Sequence, residues 1–139
     1  MIISNLQQGF CRILLTACDF EGLRQCLNEA IKSQVVKDFD KWIGVSRQYV
    51  ENILAEMPSR RTPGTAWGSI ESGLLVEMWS HDEVFVHLTI SNLRVLRNCL
   101  FEVCNHIKLF EFRLRIGIEL REALVILDAM TSYLDQRRS

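Results

Sequence analysis

The sequence predicts an α+β fold made of a tandem-duplicated strand–strand–helix–helix unit, with an antiparallel sheet packed by four helices in pseudo-twofold symmetry. The main observation is an internal repeat: residues 23–57 align without a gap on residues 96–130, 73 positions later, and 11 of 35 positions are identical. A chain of 139 residues is long enough for one well-packed core. We therefore expect a single domain in which copies 1–57 and 74–134 share one interior.

Each copy opens with two short segments that have the composition of a β-hairpin. In the second copy, residues 74–79 and 83–89 are rich in Val, Leu and aromatic residues, and apolar and polar side chains alternate along 83–89. Period-two alternation indicates strands with one face turned to the core. The first copy has corresponding segments at 2–6 and 10–16, so two hairpins are predicted.

Two helices are predicted to follow each hairpin. Apolar residues recur at three- and four-residue steps after Asp19 and Asn92, which are expected to cap these first helices. A short irregular piece ending at Gly44 or Gly117 leads to the second helices, 46–57 and 119–134. The predicted buried stripe of the last helix is Ala123, Leu124, Leu127, Met130 and Leu134. Residues 58–73, rich in Pro, Gly and Ser, are predicted to form the loop between the copies.

The composition indicates a cytoplasmic protein without a membrane or nucleic-acid partner. The formal net charge is −1, so no global field attracts nucleic acid or anionic lipid. No apolar run approaches the roughly 20 residues of a membrane span, and the N-terminus does not resemble a secretory signal. The five cysteines form no Cys-x-x-Cys pair, and Cys11, Cys26 and Cys99 lie among apolar residues, where reduced buried thiols are expected.

The nearest approach to an active-site cluster is His81, Asp82, Glu83 and His87. On a strand, His81, Glu83 and His87 would share one face, as an acid–base pair or metal ligands would. A third ligand at motif spacing is missing, as are a phosphate-binding loop and a nucleophile elbow. We therefore expect no catalytic residues, no metal and no cofactor, and interpret the cluster as a solvated hairpin face.

Residues 39–53 resemble a helix-turn-helix, which gives an alternative function as a DNA-binding or regulatory protein. Gly44 would lie in the turn. The side chains that would face a major groove are Ser46, Arg47, Gln48 and Asn52. However, Glu51 and Glu56 on the same helix would repel phosphates. The simpler interpretation is a helix corner that uses Gly for its positive φ. A non-catalytic structural or oligomeric domain is the second alternative.

The charge pattern around the second hairpin favours a protein-binding surface. No Lys or Arg occurs between Arg61 and Arg94. The acidic residues in this interval are Glu71, Glu77, Asp82 and Glu83, and its aromatic residues include Trp67, Trp79 and Phe85. Aromatic side chains beside carboxylates suit an interface with a basic protein partner. The alternative is that these aromatics cover the second face of the sheet.

The second copy also resembles a family pattern. Residues 86–89, Leu93, 96–103 and 111–117 together read as a strand, a Leu-rich helix with Leu-x-Glu-Val, and a Glu-Phe-x-x-x-x-Gly segment. The last segment carries an Arg at its fifth position, Arg115, so that it reads Glu-Phe-x-x-Arg-x-Gly. This pattern resembles small bacterial immunity proteins of polymorphic and contact-dependent growth-inhibition toxin systems. The resemblance implies a cytoplasmic protein that neutralises a cognate toxin by stoichiometric binding. Many such toxins are nucleases with basic clefts, against which the acidic residues would take the place of phosphates.

Overall fold

The computed structural model describes residues 1–5, 9–32, 38–57, 66–78 and 80–137. It is an α+β fold, as predicted. The strands are β1 (Ile2–Asn5), β2 (Phe10–Thr16), β3 (Ala66–Ser69), β4 (Leu74–Met78) and β5 (Glu83–Thr89). The helices are α1 (Ala17–Lys32), α2 (Phe39–Ile43), α3 (Arg47–Ala55), α4 (Ile90–His106), α5 (Leu109–Ile116) and α6 (Leu120–Gln136). Both predicted hairpins are confirmed, although Leu6 and Trp79 at their predicted ends lie outside the described residues.

The five strands form one open antiparallel sheet in the order β1-β2-β5-β4-β3. The two hairpins meet at its centre, where Ile13 of β2 lies opposite Val86 of β5. These residues are 73 positions apart, the offset of the sequence repeat. The outer pairs have matching registers: Ile2 lies opposite Leu14, and Leu75, 73 positions after Ile2, lies opposite His87.

One face of the sheet and the helices form the hydrophobic core. The alternate residues Ile13, Leu15, Val84, Val86 and Leu88 are buried on this face. Helices α1 and α4 contact each other and pack on the central strands. The core continues into the following helices through Phe112, Ile116, Ile126 and Met130, among others. The described buried residues from both repeat segments therefore belong to one hydrophobic cluster.

The helix starts differ from the prediction that Asp19 and Asn92 are N-caps. Helices α1 and α4 each begin two residues before these positions. The hydroxyl of the threonine that precedes each helix caps it. Thr16 Oγ1 accepts the Asp19 backbone N–H at 3.0 Å, and Thr89 Oγ1 accepts that of Asn92 at 3.1 Å. The caps were misplaced because Asp, Asn and Thr all serve this role, and the residue three positions earlier takes it in both copies.

Three elements were not predicted in full. Helices α2 and α5 lie where an irregular piece was expected, giving six helices among the described residues where four were predicted. Strand β3 occupies the end of the predicted loop, whose residues 58–65 lie outside the described part.

The interpretation of Gly44 and Gly117 as helix-corner residues is confirmed, because their φ angles are 96° and 93°. Leu124, predicted in the buried stripe of α6, is instead exposed.

Candidate functional site

The sheet has a second face, opposite the helices, which we call the outer sheet face. Its residues are half-buried or exposed, whereas their neighbours on the opposite face are buried. Cross-strand pairs share a face, so the register defines its members. They include Ile2, Ser4, Arg12, Leu14, Glu83, Phe85, His87, Leu75 and Glu77. Among the described residues, the helices that contact the strands pack on the opposite face of the sheet, in the hydrophobic core.

Phe85 lies at the centre of this face. It is directly opposite Leu14 on β2 and Glu77 on β4. The Arg12 guanidinium carbon is 4.9 Å from the centroid of the Phe85 ring, a distance suited to a cation–π contact. Phe85 is thus held between a cation and a carboxylate on a half-exposed surface, which is the setting of an aromatic anchor in a protein interface.

His87 lies next to Phe85 on the same strand face. Its Nε2 is 3.2 Å from Glu77 Oε1, and the geometry does not meet that of a hydrogen bond. Burial lowers the pKa of His87, the Glu77 carboxylate opposes this shift, and Arg12 adds to it. The imidazole is therefore neutral at neutral pH, so it does not cancel the negative charge of Glu77.

The structure brings together some of the residues predicted to bind a partner and separates others. Glu77, Glu83 and Phe85 share the outer sheet face, and Asp82 is exposed in the turn beside them. Glu71 is exposed in the β3–β4 turn at the opposite end of β4. Trp67 lies opposite Val76 on the helix side, where it packs against the core. Trp79 lies outside the described residues. The sequence could not assign Trp67 to a face because β3 was predicted to be a loop.

The histidines, cysteines and carboxylates of the described residues are spread over the fold. No group of three or more His, Cys, Asp or Glu side chains in that part of the chain is arranged to hold a metal. His81 is exposed in the turn before β5 and does not join Glu83 and His87 on the strand. Cys11, Cys26 and Cys99 are buried and free, as predicted. Burial raises the pKa of Cys11 to about 11 and that of Cys99 to about 12, so neither is a reactive thiolate.

Of the four side chains predicted to face a major groove, Gln48 and Asn52 are exposed and hydrogen-bonded to each other, whereas Ser46 and Arg47 are used within the protein. Arg47, the only basic residue of α3, donates from Nη1 to the Ile31 carbonyl at 2.5 Å and lies 4.6 Å from the Phe39 ring centroid. Ser46 caps α3 by accepting the Tyr49 backbone N–H. Helix α3 thus contributes no cation directed at phosphates, which argues against its use as a DNA-reading helix.

A second candidate surface was not predicted from the sequence. On α6, Leu124 is 45% exposed and Val125 is 66% exposed. On α5, which contacts α6, Phe110 is 72% exposed and Leu114 is 86% exposed. The signal was present in the sequence, because residues 51 and 52 of the first copy, at the offset of the repeat from Leu124 and Val125, are polar. Neighbouring exposed apolar side chains indicate an interaction surface.

Comparison with known proteins does not assign either surface. No protein-family model matches the chain, and no curated protein and no solved structure matches it significantly. In the described part of the chain, none of the helices combines the length and the apolar character that a bilayer span requires.

Proposed function

We propose that the protein is a non-catalytic, immunity-type binding protein that neutralises a cognate bacterial toxin in the cytoplasm by stoichiometric binding. The observation that supports this proposal most directly is the outer sheet face, where Phe85 lies beside Glu77 and Glu83. Arg12 lies against the Phe85 ring, but the carboxylates outnumber it at this face and in the adjoining turn, and an aromatic residue beside carboxylates suits the centre and rim of an interface with a basic protein. The resemblance of the second copy to immunity proteins points to the same role.

The mechanism is electrostatic steering followed by burial of an anchor. Glu77, Asp82 and Glu83 lie near one end of β4 and β5, so their charges add locally even though the chain is nearly neutral. A toxin that acts on nucleic acid presents a basic cleft, which these carboxylates attract and occupy in place of phosphates. Phe85 then supplies apolar contact area, with Leu14 and Leu75 beside it on neighbouring strands.

We also infer that the fold arose by tandem duplication, with a pseudo-twofold axis that passes between Ile13 and Val86. Three features support this inference. The central pair joins residues that are 73 positions apart. The β1–β2 and β4–β5 registers have the same offset. The capping residues Thr16 and Thr89 are also 73 positions apart.

The proposal expects a large secreted effector to be encoded upstream of this gene, and the experiment measures binding to the toxin domain of that effector. Growth rescue on co-expression shows neutralisation, and stopped-flow fluorescence at two salt concentrations gives the association rate. Glu77→Lys and Glu83→Lys should each lower this rate about tenfold at low salt, because they reverse a charge that steers encounter. The matched control is Glu51→Lys, which makes the same charge change on exposed α3.

Two results would contradict the proposal. The wild-type protein could fail both to bind the domain and to rescue growth. Alternatively, Glu77→Lys and Glu83→Lys could both leave affinity and salt dependence unchanged, which would exclude the outer sheet face as the binding surface.

A further inference from the structure

We propose that two copies of this chain associate through α6 as an antiparallel, twofold-symmetric dimer. The contact is the α6 stripe, which consists of Arg121, Leu124, Val125 and Asp128. This surface lies on the helical layer and is separate from the outer sheet face, so the proposal does not depend on toxin binding.

The α6 stripe faces away from the protein. Its residues follow the spacing i, i+3, i+4 and i+7, which places them on one side of a helix. All four are exposed, whereas the opposite side of α6 is buried in the core through Ala123, Ile126, Met130 and Leu134. Leu124 and Val125 therefore do not hold α6 in the fold.

The first copy shows that the helix corner does not require apolar residues at these positions. Leu124 and Val125 correspond to Glu51 and Asn52 at the offset of the repeat. Glu51 and Asn52, which lie on α3, are both exposed to solvent. The same local architecture is thus formed with a charged and a polar residue, and the apolar pair on α6 calls for a purpose outside folding.

The charges of the α6 stripe identify a second copy as the partner. A twofold axis between Leu124 and Val125 lies 3.5 residues from both Arg121 and Asp128. With a rise of about 1.5 Å per residue, each side chain lies roughly 5 Å along the helix from the axis. In an antiparallel pair, Arg121 of each copy therefore lies level with Asp128 of the other. A parallel pair would instead oppose Arg121 to itself.

Both charges are available for this contact. Among the described residues, neither Arg121 nor Asp128 forms an ion pair, in contrast to Arg113, which pairs with Glu119 at 2.7 Å. Two apolar side chains per copy cannot bury the roughly 1,200 Å² of a stable interface. We therefore expect the exposed Phe110 and Leu114 of the adjoining α5 to enter the buried area.

The test is a charge swap followed by sedimentation velocity on the full chain, at concentrations between about 1 and 100 μM. The wild type should form a concentration-dependent dimer. Arg121→Asp and Asp128→Arg should each raise the dimer dissociation constant about tenfold, because symmetry affects two ion pairs. The double variant restores opposite charges and should return to within a few-fold of the wild type.

Two further variants separate the contact from folding. Val125→Glu should abolish the dimer while retaining the wild-type circular dichroism and melting temperature, because Val125 does not pack in the core. Glu51→Lys on α3 should leave the dimer unchanged. A wild type that stays monomeric throughout would overturn the proposal and favour a different protein as the occupant of the stripe. A double variant as weak as the single variants would also overturn it.

Discussion

Replacement of Asn92 by Ala tests two polar contacts that join the start of α4 to α3 and to the residue before β4. Asn92 is only 2% exposed. Its Nδ2 donates to the Gly73 carbonyl at 2.9 Å, and its Oδ1 accepts from the Tyr49 hydroxyl at 2.6 Å. The Gly73 carbonyl keeps the Thr89 N–H as a second partner at 3.2 Å, so it is not orphaned. Two lost hydrogen bonds at about 1 kcal/mol each give a destabilisation of about 2 kcal/mol.

This change should be visible in both chemical and thermal unfolding. At about 2.1 cal/mol/K of unfolding entropy per residue, a 139-residue chain loses roughly 7 °C of melting temperature for 2 kcal/mol. The assay is urea unfolding followed by circular dichroism, as a double-mutant cycle with Tyr49→Phe. Tyr49→Phe alone leaves the buried Asn92 Oδ1 unpaired, but it should have little effect once Asn92 is Ala. A coupling energy of about 1 kcal/mol is expected.

The reasoning would be refuted if Asn92→Ala destabilised the protein by less than about 0.5 kcal/mol. It would also be refuted if the two changes were additive, because the Tyr49–Asn92 contact would then contribute no energy. Normal far-ultraviolet circular dichroism of each variant before unfolding serves as the control.

Two further predictions concern stability. Burial and the nearby Glu122 carboxylate raise the pKa of Asp19 above its ordinary value of 3.8. The folded state therefore disfavours ionised Asp19. This penalty is absent at pH values below the ordinary pKa, where Asp19 is protonated in both states, and it is complete at pH values above the raised pKa. Asp19→Asn should stabilise the protein at pH 7 by less than about 1 kcal/mol. Melting temperatures measured at several pH values should show this gain disappear towards pH 3. A gain that stays constant with pH would contradict the prediction. Gly44→Ala and Gly117→Ala should each cost about 1 kcal/mol in urea unfolding, because both φ angles are positive and an added Cβ meets no atom within 4 Å. Unequal costs would show that the two corners are not equivalent.

The parts of the fold that were predicted from the sequence are those with a clear period. Strand β5 is predictable because its seven residues alternate, β2 because it corresponds to β5 at the offset of the repeat, and α1 and α4 because their apolar stripes span several turns. Helix α2 has only five residues, too few for a helical period to be recognised. Strand β3 contains Gly and Ser and lies at the sheet edge, so its composition resembles that of a loop.

The candidate surfaces were harder to predict because they depend on which side of an element faces the core. Phe85 alternates with Val84 and Val86 along β5, so the period of this strand correctly predicts that it lies on the face away from the core. Glu77 is assigned to the same face only by its pairing with Phe85, because the sequence of β4 does not alternate. Leu124 was placed in the core because it lies between residues of the true buried stripe, and hydrophobicity alone does not separate a buried leucine from an exposed one. Only the position of α6 on the core resolves this.

Positions 73 apart provide an internal comparison that separates residues required by the fold from those that are not. Where both copies keep the same side chain in the interior, as with Cys26 and Cys99, packing explains the residue. At other positions, one segment has an exposed charged residue and the other an exposed apolar residue, as with Glu51 and Leu124. Packing cannot explain this difference, because both residues lie on a helix and are exposed. The surfaces that differ between the copies are therefore the places where function is to be sought, and the α6 stripe is such a surface.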